Sequence, residues 1–281
     1  MTNWEPIDRA RLRARPLPVH APGTDKNDRG GVFIVGGSVL VPGALRLTAE
    51  AAFRVGAGKV RIATVASAAL ALGMAMPEAA VIALPEDEDG EIAREAAQIL
   101  NNDVARCGTL VLGPAMSDSD QIVPLVASLL REPRPDLSIV LDAAAVSCAS
   151  ELAEVVGRHQ GRVILTPHHG EMARLKNCST TAVENDAEEI AQDIVAQFNA
   201  VVVLKSDETF IATASSSLDR YASDCVGLAT GGSGDVLAGR DWRSAFARYC
   251  PPDGGWVGRV APWRSRARTV VENRRDRLSG A

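Results

Sequence analysis

The sequence predicts an α/β fold, with a mostly parallel central sheet and helices on both of its faces. Three observations point to it. Short β-branched apolar runs alternate with alanine-rich helical stretches over most of the 281 residues, the pattern of strand-helix-strand units. Hydrophobic residues make up 46% of the chain and aromatic ones only 4%, which suits parallel strands under small-residue helices better than a sandwich or a disulfide-stapled fold. Residues 227–239, GLATGGSGDVLAG, place a glycine-rich turn at the start of a helix, and ligands of such sheets bind at the carboxyl ends of the strands.

The first 29 residues, rich in Pro, Arg and Asp, read as an irregular lead-in that closes at the polar turn TDKNDRGG. The folded body then runs from 30 to 239. GVFIV is a strand ending at Gly36-Gly37-Ser38, and after Pro42-Gly43 the stretch ALRLTAEAAFRVGAG has helical spacing and a glycine stop. The strand KVRIATV (59–65) is followed by helical SAALALGMAM, the strand VIALP, helical EIAREAAQIL and the strand TLVLG at 109–113. Next come a helix near 121–131, the strand SIVLDA (138–143), a helix near 149–157 and the strand VILTP (163–167). A charged helix near 182–198 leads into VVVLKS (201–206), and FIATA (210–214) is its hairpin partner, because little beyond SDET separates the two. No repeat or linker interrupts this body, so one domain is expected.

A net charge of -5 and a pI near 5.5 argue against a nucleic-acid or membrane-surface partner and favour a small molecule. The five cysteines are scattered, with no C-x-x-C and no histidine at ligand spacing, so neither zinc nor redox chemistry is indicated. No apolar run is long enough to span a membrane and no signal-like segment opens the chain, so a cytoplasmic protein is expected.

The chemistry is expected where the strands end. In the glycine turn, Gly227, Gly231, Gly232 and Gly234 let several N–H groups converge, and a helix starting at Ser233 or Gly234 adds its positive end, which together suit a phosphate. Asp235, in the first turn, is placed to act as a base on a substrate hydroxyl; the plain alternative is that it only complements the helix dipole. Gly113, Asp142, the run Thr166-Pro167-His168-His169-Gly170-Glu171 and Lys205 all fall at strand ends. His168 is read as a site residue and His169 as pointing elsewhere. Lys205 is costly behind four apolar residues unless it meets an anion, either a nucleotide phosphate or an acid such as Asp207 or Glu208. Asp142 is equally readable as a helix N-cap.

In order, GGSVLVPGA, AAFRVGAGKVRIAT, LVLGPAM, IVLDA, ILTPHHGEMARL, VVVLKSDETFIA and GLATGGSGDVLAG resemble the bacterial NAD(P)H-hydrate dehydratases, which are ribokinase-like enzymes. The likeness runs from about Gly30 to Gly239. It implies ADP-dependent repair of NADH or NADPH hydrate: the hydroxyl is phosphorylated, phosphate is eliminated, and NAD(P)H, AMP and phosphate result. On this resemblance Asp235 is the catalytic base, and Ala44, Gly113, His168 and Asp235 hold the hydrate. Lys205, Ser206, Asp207, Glu208 and Thr209, with Gly231, Gly232, Ser233 and Gly234, hold the nucleotide. Mg2+ is the implied cofactor, with ligands that cannot be read from the sequence, and a homo-oligomer is the implied assembly. Three departures stand out. Ser206 replaces the usual glycine after the lysine, Ala144 replaces a usual second acid, and the chain reads HHGE where the family usually has HPGE.

After Gly239 the character changes. Residues 240–281 hold ten arginines, no lysine and four acids, hence +6, which leaves -11 for residues 1–239. Trp242, Trp256 and Trp263 lie here too, and DWRSAFARYCPPDGGW lacks the apolar stripe that a buried helix needs. With suitable codons, WRSRARTVV read one base later becomes GEAGRALS, GRDWRSAFARY becomes AIGGALSRG, and VGRVAPW becomes WAVWLHG, all like the family's closing helices. A one-base frameshift near codon 240 is therefore expected, together with impaired activity; a genuine basic tail is the alternative. Two other functions compete. One is a ribokinase-like vitamin-precursor kinase, such as a hydroxyethylthiazole or pyrimidine kinase; the other is an inactive nucleotide-binding remnant.

Overall fold

The computed structural model describes residues 4–14, 22–119, 121–214, 218–222 and 229–246, with the side chains of the last stretch described to 241. The alternation read from the sequence is present. The parallel body consists of β2 (Gly31–Val35), β3 (Lys59–Val65), β4 (Ala80–Leu84), β5 (Thr109–Leu112), β6 (Ser138–Leu141), β7 (Val163–Leu165) and β8 (Val201–Leu204). β1 (Trp4–Pro6), β9 (Glu208–Ala212) and β10 (Leu218–Ala222) complete a sheet ordered β1-β10-β9-β8-β7-β6-β5-β2-β3-β4. β9 is antiparallel to β8, which makes the expected hairpin, and also to β10. The other described pairings are parallel.

Helices cover both faces: α1 (Arg9–Ala14), α2 (Ala44–Arg54), α3 (Ala66–Ala75), α4 (Ala96–Val104), α5 (Ile122–Leu129), α6 (Ala144–Ser147), α7 (Ala153–Gly157), α8 (His169–Lys176), α9 (Thr180–Asn185), α10 (Ala187–Phe198) and α11 (Ser233–Phe246). The strand residues alternate between two cores. Phe33, Leu110, Leu112, Ile139 and Leu141 face the α4, α5 and α10 side, whereas Ile34, Val111, Val140 and Ile164 face Leu45, Ala49 and Leu237 of α2 and α11. Strands buried on both faces explain the unbroken apolar runs.

The lead-in is not wholly irregular. β1 pairs with β10, Arg11 forms an ion pair with the fully buried Asp219, and Arg220 lies over the Trp4 ring at 4.6 Å. The charged helix expected at 182–198 is two helices, α9 and α10, which meet at Asp186.

Sequence order reverses between β2 and β5: β2, β3 and β4 run one way across the sheet, and β5 to β8 run the other. Such a switch point opens a crevice at the carboxyl ends of its strands. The crossing is tight there. Gly37, at φ +80°, donates its N–H to the carbonyl of Pro114 at 2.8 Å, and any Cβ on Gly36 would collide with that same carbonyl.

Candidate active site

The carboxyl ends of β5, β6, β7 and β8 are neighbours, and they bring the strand-end residues together as expected. Gly113 follows β5 at φ +107°, and a side chain on it would collide with the carbonyl of Asp142. Asp142 follows β6 and is 3% exposed. Its Oδ1 accepts from Thr166 Oγ1 at 2.6 Å and from Lys205 Nζ at 2.7 Å. Asp142 is thus an ion-pair partner and not a side-chain cap: Ala143, at φ +47°, occupies the start of α6 without one.

Lys205 pairs with acids other than the adjacent Asp207 and Glu208. Besides Asp142 it has Glu171 Oε2 at 4.0 Å. Burial alone would lower the lysine's pKa, but Asp142 and Glu171 outweigh it and the net shift is upward. Its backbone N–H donates to the carbonyl of Pro167 at 2.7 Å, which ties the end of β8 to the residue before His168.

His168 caps α8. Its Nδ1 accepts from the N–H groups of Gly170 and Glu171 at 2.9 and 3.3 Å, and Glu171 Oε2 accepts from the N–H of His168 at 2.8 Å. This is a capping box with histidine in the place usually taken by Ser or Thr. His169 occupies the first helical position, where the family usually has proline, and its Nδ1 turns toward Glu184 Oε1 at 3.9 Å. Burial raises the pKa of Glu171, and Lys205 opposes that shift.

α11 starts at Ser233, as expected, with Gly232 before it at φ +84° and Asp235 in its first turn. A Cβ on Gly234 would lie 3.6 Å from Lys205 Nζ, so the glycine turn and the lysine share one pocket. Burial, with the nearby Asp142 charge, pushes the Asp235 carboxyl up to about 6; Lys205 opposes the shift. It therefore remains mostly ionised at neutral pH. α11 packs on α2: Gly239 has no room for a Cβ beside the carbonyl of Thr48, and a Cβ on Gly232 would push the Leu47 side chain aside. Ala44 is the first residue of α2, one turn before Leu47 and on the same face. Gly227 and Cys225 fall outside the described residues.

The remaining predicted nucleotide residues are more scattered. Ser206 Oγ turns inward onto the carbonyl of Glu208, whose carboxylate pairs with Arg220. Asp207 is exposed, and the N–H of Glu208 holds its carboxyl below the usual range. Ser206, Asp207 and Glu208 border an open groove of ≈ 430 Å³ shared with His169, Glu184 and Asp186. Thr209 is buried in β9, with no partner for its hydroxyl among the described residues. No group of three or more His, Cys, Asp or Glu side chains is arranged to hold a metal among the described residues. Glu171 stands in the strand-end run but has no role assigned from the sequence, although H-x-G-E carries the spacing of a cap and its N3 partner.

The family model for NAD(P)H-hydrate dehydratase matches residues 32–240. The chain belongs to that family. It is 41% identical over 233 residues to the ADP-dependent (S)-NAD(P)H-hydrate dehydratase of Xanthomonas campestris pv. campestris, a match covering 83% of this chain and 77% of the relative. The enzyme of the same name from Neisseria meningitidis serogroup B is 35% identical, over 76% of this chain and 68% of its own. The chain spans less than half, 42%, of the bifunctional NAD(P)H-hydrate repair enzyme of Moorella thermoacetica, at 35% identity. The ribokinase-like fold is shared with the ADP/ATP-dependent NAD(P)H-hydrate dehydratase of Bacillus subtilis, crystallised with ATP and Mg2+: TM-score 0.74, 24% identity, covering 94% of this chain and 88% of that one. The family's enzymes are hydro-lyases. No helix among the described residues is long and apolar enough to cross a membrane.

Proposed function

We propose that this chain dehydrates NADH or NADPH hydrate with ADP as co-substrate, and that Asp235 removes the proton from the hydrate's hydroxyl as the phosphoryl group is transferred to it. AMP leaves in that step. Phosphate, a far better leaving group than hydroxide, then departs from its ring carbon while the neighbouring carbon gives up a proton to solvent, which restores the dihydronicotinamide ring. The observation that carries this is Asp235, a part-buried carboxyl with a pKa raised to about 6, in the first turn of a helix whose glycine turn faces Lys205. The relatives' names supply the substrates. The N-terminal end of α11 and Lys205 suit the charge that develops on the transferring phosphoryl group.

Ala44, Gly113 and His168 are assigned to the hydrate, and the turn from Gly231 to Gly234 to the phosphates. Lys205 to Thr209 are assigned to the nucleotide, Lys205 toward its phosphates and the exposed hairpin turn toward its base. No carboxylate cluster among the described residues is arranged to hold a metal, so Mg2+ is assigned to the phosphate oxygens of the bound nucleotide. There the ion would neutralise phosphate charge. A homo-oligomer in the cytoplasm is the proposed setting.

The frameshift also remains a proposal. Residues 247–281 lie outside the described residues, but α11 continues past Gly239 and buries Asp241 at 1% exposure, where a core-facing residue of this helix should be apolar. Its Oδ2 has no hydrogen-bond partner among the described residues. In the alternate frame that position is isoleucine. Incubating the protein with NADH hydrate, ADP and Mg2+ and measuring NADH and AMP tests the function; turnover of thiazole or pyrimidine alcohols with ATP instead would favour a kinase.

A further inference from the structure

We infer that His168 is fixed as its Nε2–H tautomer, so that it offers the site a hydrogen-bond donor and never a base. What it donates to rests on the dehydratase reading; the tautomer rests on geometry alone. Nδ1 accepts two backbone N–H groups, from Gly170 at 2.9 Å and Glu171 at 3.3 Å. A nitrogen accepting two donors presents its lone pair to them, so the ring proton of a neutral imidazole must sit on Nε2. Nε2 in turn has a carboxylate oxygen, Glu171 Oε1, at 3.4 Å, a neighbour that suits a proton-bearing nitrogen.

Three features hold the ring in this pose. Glu171 Oε2 accepts from the His168 N–H and fixes the backbone from which the ring projects. Lys205 N–H anchors the preceding Pro167 carbonyl. Gly170 leaves room for the ring: a Cβ there would stand 2.9 Å from Cε1 and 3.3 Å from Nδ1 of His168. A side chain at the glycine of H-x-G-E would thus press on the imidazole in this pose. With Nδ1 committed to the helix, the half-exposed ring has only Nε2–H left for a ligand at the sheet edge, where an oxygen of the hydrate or of its phosphorylated form is the matching acceptor. Of His168 and Asp235, only Asp235 is then left to remove the proton.

Multiple-bond 15N–1H correlation on histidine-labelled protein reads the tautomer directly, with the His168 signals assigned by their loss in His168→Asn. An Nε2–H pattern is expected, and an Nδ1–H pattern would overturn the inference. Asparagine keeps a good capping oxygen, whereas alanine removes the cap. His168→Asn should therefore melt near the wild-type temperature and His168→Ala about 2–4 °C lower; equal melting of wild type and His168→Ala would overturn the cap. Gly170→Ala, which ordinarily stabilises a helix, should instead fail to stabilise and should mix the tautomers. Where turnover is measured, His168→Asn should lower kcat/KM about tenfold or more, and an unchanged value would remove the donor role. No turnover on NADH hydrate by the chain whose coding sequence is shifted one base near codon 240 would count against the function reading and leave the tautomer result standing.

Discussion

Lys205 Nζ lies 2.7 Å from Asp142 Oδ1, joining the ends of two strands that flank β7, and Thr166 Oγ1 donates to the same oxygen at 2.6 Å. The pair does two things at once. It holds a cation beside the glycine turn before any ligand arrives, and it places a carboxylate where its charge raises the pKa of Asp235.

Removing the lysine alone should be severe. Lys205→Ala leaves Asp142 buried and uncompensated, a change that costs about 3–5 kcal/mol in buried pairs. Urea unfolding would measure it; a loss below about 1 kcal/mol would show that the pair contributes little.

Asp235→Asn should cut kcat by about 10²–10⁴-fold while nucleotide binding persists. The base works only when ionised, so the rate of the one-base-shifted chain should fall as pH drops through about 6 and level off above it. A profile flat from pH 5 to 8 would assign the proton transfer elsewhere.

At the other end of the sheet, Arg11 pairs with Asp219, which is fully buried. Arg11→Ala should therefore cost about 3–5 kcal/mol, as much as a core truncation, although it lies in a segment that reads as irregular. Wild-type stability of the variant, read by thermal or urea unfolding, would mean that the lead-in is not part of the fold.

These segments show what was legible. The parallel strands were, because burial on both faces writes continuous apolar runs such as VVVL and TLVL. β10 was not: its run, LDRYA, includes an acid that becomes buried only because Arg11 reaches it from the distant lead-in. α8 was missed because HGEMARLK is short and charged and its cap is a histidine. The glycine turn, Asp235, His168, Gly113 and Lys205 were legible as strand-end and helix-start residues. The partners of Lys205 were not, since Asp142 and Glu171 reach it through sheet order and not through sequence spacing.

Asp241 predicts an unusual pH dependence. Its pKa is raised well above the usual value by burial, with the Asp142 charge adding to it. The folded protein thus holds a proton that the unfolded chain releases above pH 3.8. Its contribution to stability is full below that pH and declines as pH rises, until the folded carboxyl itself ionises. Asp241→Ile, the alternate-frame residue, should raise stability at neutral pH by about 1–3 kcal/mol and flatten this decline. No gain, or a loss, would remove the structural argument for the frameshift.

The most direct measurement is ADP-dependent formation of NADH from its hydrate, with AMP and phosphate followed together, by the 281-residue chain, by a chain whose coding sequence is shifted one base near codon 240, and by Asp235→Asn in each. NADH, AMP and phosphate in equal amounts are expected from the shifted chain, little from the unshifted one and almost none from either Asp235 variant. Absence of NADH from the shifted chain, or undiminished formation by its Asp235→Asn form, would contradict the assignment of this site.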